Sequence, residues 1–204
     1  GTRGTGKTSC AKILARAVNC LELNGGDPCL ECEACCMVEA GENTDIVEID
    51  AASNNGVDSI RELRDLISFT PANSKYRVFI IDEVHMLTES AFNALLKTLE
   101  EPPLGVIFVL ATTELQKIPS TILSRCQRYD FRRIPVQVIS DRLMSLADIE
   151  NINLEKDASI LIARLAQGGM RDAISMMELC AGKTGNVTVQ SVYDAAGLCG
   201  RQSV

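Results

Sequence analysis

Gly1–Thr8 reads GTRGTGKT, a complete phosphate-binding loop of the form G-x-x-x-x-G-K-[ST]. Its glycines let the backbone curl so that successive N–H groups point inward at a phosphate. Lys7 then reaches the β- and γ-oxygens of a nucleotide, and the Thr8 hydroxyl ligates Mg²⁺. Gly1, Gly4, Thr5, Gly6, Lys7 and Thr8, with Ser9 after them, form the candidate nucleotide-binding set. A helix should begin here with the positive end of its dipole toward the anion. Cys10, Leu14, Ala17, Val18 and Leu21 fall at helical spacing and predict its apolar face. Such a loop follows a buried β-strand, and no residues stand before Gly1. The expectation is therefore an α/β sheet lacking its first strand.

The partner motif lies downstream. Arg77–Glu83 reads RVFIIDE, an apolar run of the kind buried on both faces of a parallel sheet. It ends in Asp82 and Glu83, at the carboxyl end of a strand, where ligands of open α/β sheets collect. Asp82 would hold Mg²⁺ or its water shell, and Glu83 would orient and polarise the attacking water. Together with the loop this predicts Mg²⁺-dependent nucleotide hydrolysis. His85, the only histidine, completes the string DEVH. It either couples to bound DNA or the water, or is a structural histidine at the start of a loop.

Size and charge narrow the class. The chain has 204 residues, 46% of them hydrophobic and only 4% aromatic, with no Trp. It can bury a sizeable, mostly aliphatic core. A net charge of -7 means that the surface as a whole does not attract DNA or acidic membranes, so any nucleic-acid contact must be local. No apolar run reaches the roughly 18 residues of a membrane span. Nine cysteines beside a nucleotide loop suggest a reducing, cytoplasmic setting and metal rather than disulfides.

Four of those cysteines, Cys20, Cys29, Cys32 and Cys35, follow C-x8-C-x2-C-x2-C. Four thiolates favour structural Zn²⁺ in a closed site, with Gly25, Gly26 and Pro28 making the intervening turn. The competing readings are an iron–sulfur cluster, disulfides, or Cys36 in place of Cys35. The metal would staple a short insertion, residues 20–40, that has little core of its own.

Elsewhere Asp45–Asp50 reads as a strand, Ala51–Gly56 as a turn, and Val57, Ile60, Leu63, Leu66 and Ile67 as a helix with Asn54, Asn55 or Asp58 as cap. Thr88 should cap a helix with Phe92, Leu95, Leu96 and Leu99 on its apolar face, stopped by Pro102 and Pro103. Gly105–Ala111 is another buried strand; the hydroxyls of Thr112 and Thr113 after it either lie near a γ-phosphate or only start a turn. Gln127–Phe131 reads as a short strand. From Pro135 on, helical periodicity dominates and no strand is expected. The stripes are Val138, Ile139, Leu143, Leu146; Leu161, Ile162, Leu165; and Ala173, Ile174, Met177, Cys180. Gly168–Met170 should place Arg171 at a helix N-terminus, where a cation opposes the dipole and calls for an anionic partner, a phosphate or a carboxylate. The organisation expected is a nucleotide-binding domain over 1–133, a small all-helical lid over 134–186, and a linker or the start of a further domain over 187–204.

The set GTRGTGKT, the four cysteines, AASNNGVDSIREL, FIIDEVHMLTESAFNALLKTLEEPP, LATTELQKIPSTILSRC and GGMRDAIS resembles the bacterial DNA polymerase III gamma/tau subunits, the ATPase subunits of the sliding-clamp loader, of the AAA+ class. It covers nearly the whole chain in one order, and the cysteine insertion separates this family from most AAA+ relatives. The resemblance implies a P-loop AAA+ sheet flanked by helices, followed by a lid. It implies that Lys7 and Thr8 bind ATP and Mg²⁺, and that Asp82 and Glu83 complete the hydrolytic site. Thr113 would sense the γ-phosphate, Arg125 would complete a neighbouring subunit's site in trans, and Arg171 would close over the phosphates from the lid. Cys20, Cys29, Cys32 and Cys35 match the zinc ligands, and Asn54, Asn55 and Arg61 occupy a helix start that faces DNA. The implied partners are delta, delta-prime and further gamma/tau copies, the sliding clamp and primed DNA, within the DNA polymerase III holoenzyme.

The departures are an N-terminal segment with the first strand, the C-terminal collar and the tau-specific tails, none of which is present; the chain reads as a fragment of a longer product, weak or inactive in ATP hydrolysis alone. The rival readings are a non-hydrolysing scaffold subunit, against which Lys7, Thr8, Asp82 and Glu83 speak, and another AAA+ DNA motor such as a branch-migration helicase, which the cysteine cluster disfavours.

Overall fold

The computed structural model describes residues 1–54, 56, 66–67, 71–182 and 185–197. The helix expected from Val57 onward, with Asn55, Asp58 and Arg61, lies outside the described residues. The chain divides into two compact units, one of Lys7–Tyr129 and one of Gly1–Gly6 with Asp130–Val204.

In the Lys7–Tyr129 unit, strands β1 (Ile46–Asp50), β2 (Arg77–Asp82) and β3 (Val106–Leu110) form a parallel sheet in the order β1-β2-β3. Val47 stands beside Phe79, and Phe79 beside Phe108, their rings stacked with centroids 5.5 Å apart. Central β2 is sealed on both faces: Val78, Phe79, Ile80 and Ile81 are fully buried. Its side chains alternate between two cores, as the pleat requires. Phe79 and Ile81 pack with Val84, Leu87, Phe92, Leu95 and Ile122, several of them from α3 (Glu89–Glu100) and α4 (Ser120–Leu123). Val78 and Ile80 pack against Ala11 and Ala15 of α1 (Lys7–Asn19), which α2 (Glu33–Glu39) follows in the chain.

That contact corrects the predicted face of α1. Ala11, Ala15 and Asn19 are its buried residues, whereas Cys10 is exposed and so are Leu14 and Leu21. Small alanines let the helix lie close on the sheet, and bulk at Leu14 is not needed there. Asn19 locks the end of α1 to the entry of β2: its amide donates to the Tyr76 carbonyl at 3.0 Å, and its Oδ1 accepts the Tyr76 N–H at 2.8 Å. The cap at Thr88 is present, accepting from Ala91 N–H, and α3 stops before Pro102. The strand expected at Gln127–Phe131 is not formed. A strand exists by its ladder, and none pairs with this segment among the described residues.

A buried charge organises the start of the sheet. Asp45, fully buried, accepts N–H groups of Ala72, Asn73 and Ser74 and pairs with Arg77 at 2.8 Å. Burial pushes its carboxyl up, but the N–H groups of Asn73 and Ala72, with Arg77 and Ser74, together hold it below the ordinary aspartate value.

In the second unit, helices α5 (Val136–Glu150), α6 (Lys156–Leu165), α7 (Met170–Ala181) and α8 (Val189–Ala195) surround a core of Ile139, Leu143, Ile162, Ala173, Met177 and Val192. Three expectations are corrected here. Strands do not vanish: β4 (Asn153–Leu154) pairs in parallel with β5 (Asn186–Val187), each too short for any periodicity to show. Val138 is exposed; its neighbour Ser140 is buried instead, its hydroxyl 2.7 Å from that of Ser159. The predicted boundary at 186/187 falls inside the core, since Val187 and Val192 are fully buried in it. Helix α8 opens on a reciprocal capping box between Thr188 and Ser191.

Candidate functional site

The carboxyl ends of β2 and β3 and the first turn of α1 bring four of the predicted residues into direct contact. Thr8 Oγ1 donates to Asp82 Oδ2 at 2.6 Å. Asp82 Oδ1 accepts the Glu83 N–H at 2.8 Å. Glu83 Oε2 in turn accepts from Thr113, from N–H at 3.2 Å and from Oγ1 at 2.9 Å. Backbone bonds hold the frame: Ala51 N–H to the Asp82 carbonyl and Val84 N–H to the Ala111 carbonyl. Glu83 is left-handed, with φ 46° and ψ 43°, a conformation costing about 1–2 kcal/mol for a residue with a Cβ. Such strain clusters where function requires a particular direction. It turns the chain out of β2 into the 3-10 turn Val84–Met86.

The hydroxyl of Thr8 and the carboxylate of Asp82 are hard oxygen donors that suit Mg²⁺. Lys7 opens α1 directly before Thr8, and Ser9 is exposed in the same turn. His85 is nearly buried beside this group, with Nδ1 3.2 Å from Glu83 Oε2 and 3.1 Å from Thr112 Oγ1. Sequence reading passed over Glu114, which faces the other ring nitrogen at 3.3 Å. The signal was its place directly after the two threonines. The Lys117 ammonium beside Glu114 holds that carboxyl below the ordinary glutamate value.

The remaining loop residues belong to the other unit. Gly4, at φ 72°, and Gly6, at φ 91°, have the positive φ that the curl requires, and Thr5 Oγ1 donates to the Thr2 carbonyl. Gly1 lies against Phe131. The Gly4 carbonyl accepts from Met170 N–H at 2.8 Å, so the N-terminus of α7, with Arg171 in its first turn, meets the loop. Gly168, at φ 92°, leaves no room for a side chain: a Cβ there would sit 2.6 Å from that of Arg133.

Arg125 and Asn54 make their contacts elsewhere. Arg125 pairs with Glu100 at 2.8 Å and donates to the Thr121 carbonyl. Asn54 turns its amide back to the Asp50 carbonyl.

The cysteine cluster is assembled as the spacing predicted. The ligand atoms of Cys20, Cys29, Cys32 and Cys35 lie within 4.8 Å of one another. Three sulfur pairs are at 3.5, 3.9 and 4.0 Å, matching the edge of a tetrahedron with Zn–S bonds of about 2.3 Å. None is in a disulfide. Cys36 points away and donates to the Glu31 carbonyl. The Cys29 N–H holds Cys20 below the ordinary thiol value, and the Leu21 and Cys35 N–H groups bring Cys32 to about 6. Burial pushes Cys35 up to about 12, so a full set of four thiolates calls for a cation.

A family model described as "DNA polymerase III, delta subunit" matches residues 1–135. The chain is 53% identical over 203 residues to DNA polymerase III subunit tau of Bacillus subtilis, covering 100% of this chain and 36% of that protein. It belongs to the DNA polymerase III gamma/tau family. A second model, "DNA polymerase III clamp loader subunit, ATPase lid domain", matches residues 138–178. The family's tau subunit of Escherichia coli is 46% identical over 198 residues, covering 97% of this chain and 31% of that protein. The chain thus spans about a third of the length of these relatives. Among solved structures, the Thermotoga maritima RuvB Holliday junction branch migration motor aligns with a TM-score of 0.64 at 18% identity, over 97% of this chain and 59% of that one. A RuvB P216G mutant gives 0.66 at 18%, over 97% and 60%. The fold is that of an AAA+ P-loop ATPase, a parallel sheet with flanking helices and a helical lid. Among the described residues no helix is long and apolar enough to cross a membrane.

Proposed function

We propose that this chain is the ATP-binding and ATP-hydrolysing part of a cytoplasmic clamp-loader subunit, which assembles with delta, delta-prime and further gamma/tau copies to load the sliding clamp onto primed DNA. The observation that carries the reading is the 2.6 Å bond from Thr8 Oγ1 to Asp82 Oδ2, since those two oxygens come from the two motifs that share one cation in a nucleotide site. Bound Mg²⁺ would neutralise charge between the terminal phosphates. Lys7 then holds the phosphate oxygens, Thr8 and Asp82 supply the cation's ligands, and Glu83 orients the attacking water and takes its proton. Thr113 donates its hydroxyl to the terminal phosphate, Arg171 closes over the phosphates, and Arg125 reaches a neighbouring subunit's nucleotide. Asn54, Asn55 and Arg61 would meet the DNA backbone.

The four-cysteine cluster would hold structural Zn²⁺, on the strength of its donor set and sulfur spacing. In the assembled loader, Lys7→Ala should abolish ATP binding and clamp loading while leaving the zinc content at one per chain. A variant that still binds ATP with unchanged affinity contradicts the assignment of the loop.

A further inference from the structure

His85 closes the string DEVH, yet phosphate and cation binding leave it without a task. Its side chain is 6% exposed, and the ring spans two carboxylates. Nδ1 is 3.2 Å from Glu83 Oε2, and Nε2 is 3.3 Å from Glu114 Oε1. Thr112 Oγ1 joins the same network, 3.1 Å from Nδ1 and accepting the Glu114 N–H at 3.0 Å. Glu114 is anchored in turn by Lys117 Nζ at 2.9 Å, in the turn Leu115–Lys117. A ring that only filled space would need no carboxylate at either nitrogen. Either ring nitrogen, when it bears hydrogen, can donate to the carboxylate that faces it.

Among the described residues, Thr113 Oγ1 and His85 Nδ1 are side-chain partners of Glu83 Oε2. The Thr113 hydroxyl carries a single proton. Once that hydroxyl turns to donate to a terminal phosphate, the His85 ring still faces Glu83 Oε2.

We propose that His85 is a positioning residue: it holds the Glu83 carboxylate where it can accept a proton from the attacking water, and Glu114, at the opposite nitrogen, sets the ring's orientation from the Leu115–Lys117 turn. This rests on the reading of Glu83 as the water-activating base. The base would then be aimed from a surface turn, through one buried ring.

The test is ATP hydrolysis by the assembled loader carrying His85→Ala, His85→Asn, His85→Gln or Lys7→Ala, with ATP binding measured in parallel. Asparagine places its amide near the position of Nδ1, and glutamine near that of Nε2. His85→Ala should lower kcat about 10- to 100-fold, the scale of a misplaced catalytic group, with KM and ATP affinity unchanged. His85→Asn should recover most of the loss and His85→Gln little of it. Glu114→Gln should lower kcat alone and add nothing on top of His85→Ala, because the two act through one contact. An unchanged kcat in His85→Ala overturns the proposal, as does a loss of ATP binding in all three His85 variants, or equal rescue by Asn and Gln. If His85→Ala is normal while Lys7→Ala is inactive, only this inference falls. If Lys7→Ala itself binds and hydrolyses ATP normally, the nucleotide reading falls with it.

Discussion

Two charged residues behave in opposite ways at the scale of single side chains. Arg125 is paired with Glu100 at the surface, both side chains more than a third exposed. Such pairs contribute about 0–1 kcal/mol, so the guanidinium can exchange Glu100 for a phosphate at little cost. Arg125→Ala should leave ATP binding intact and reduce assembly-dependent turnover by about 10³-fold or more, as removal of an arginine finger does; normal turnover in mutant assemblies would remove the residue from the site. Asp45, by contrast, is sealed in, and breaking a buried pair from one side costs about 3–5 kcal/mol. Asp45→Ala should lower the unfolding free energy by about that much in urea titrations. Its carboxyl lies below its ordinary value of 3.8 when folded. Its contribution is therefore complete above that value and fades as pH falls through the folded one. Wild type should lose stability below about pH 4 more steeply than Asp45→Ala.

Elements were legible in the sequence to the extent that their apolar run or periodic pattern was long enough to show. The apolar run of β2 and the capped helix α3 are where the pattern placed them. The spacing of bulky residues does not give the face of α1, because close approach to the sheet selects Ala11 and Ala15 and leaves Ile13 and Leu14 about half exposed. A two-residue strand such as β4 leaves no periodic trace. The cysteine insertion was readable from spacing alone, because ligand geometry constrains sequence more tightly than packing does. It also yields the prediction proper to this scale. The chain should bind one Zn²⁺, and Cys20→Ser should lose it. Chelation should unfold the 20–40 segment, measured as newly reactive thiols, while the Lys7–Asn19 helix persists. Retention of full metal content by Cys20→Ser would require a different ligand set. At the far end, Thr188→Ala removes the hydroxyl that accepts the Ser191 N–H, one half of the capping box, and should cost about 1 kcal/mol of stability.

At the scale of the whole molecule the chain is two units, one with a core on each face of its sheet and one with a single helical core. The division of the chain falls at Tyr129/Asp130, and helical periodicity in the sequence begins near Pro135. That Gly1–Gly6 groups with Asp130–Val204 could not be read from sequence, because the contact of Gly4 with Met170 joins positions far apart in the chain. At the candidate site, Thr8, Asp82, Glu83 and Thr113, which stand in separate motifs of the sequence, touch in a chain: Thr8 to Asp82, Asp82 to Glu83, Glu83 to Thr113. Glu114 was missed because its part depends on a ring whose two nitrogens face different elements. The central claim is that this group hydrolyses ATP, and Glu83→Gln tests it most directly, since the substitution keeps the size of the side chain and removes its capacity as a base. Steady-state hydrolysis by the assembled loader with clamp and primed DNA should fall about 100-fold or more, with ATP still bound at wild-type affinity. Hydrolysis by Glu83→Gln at the wild-type rate would contradict the account.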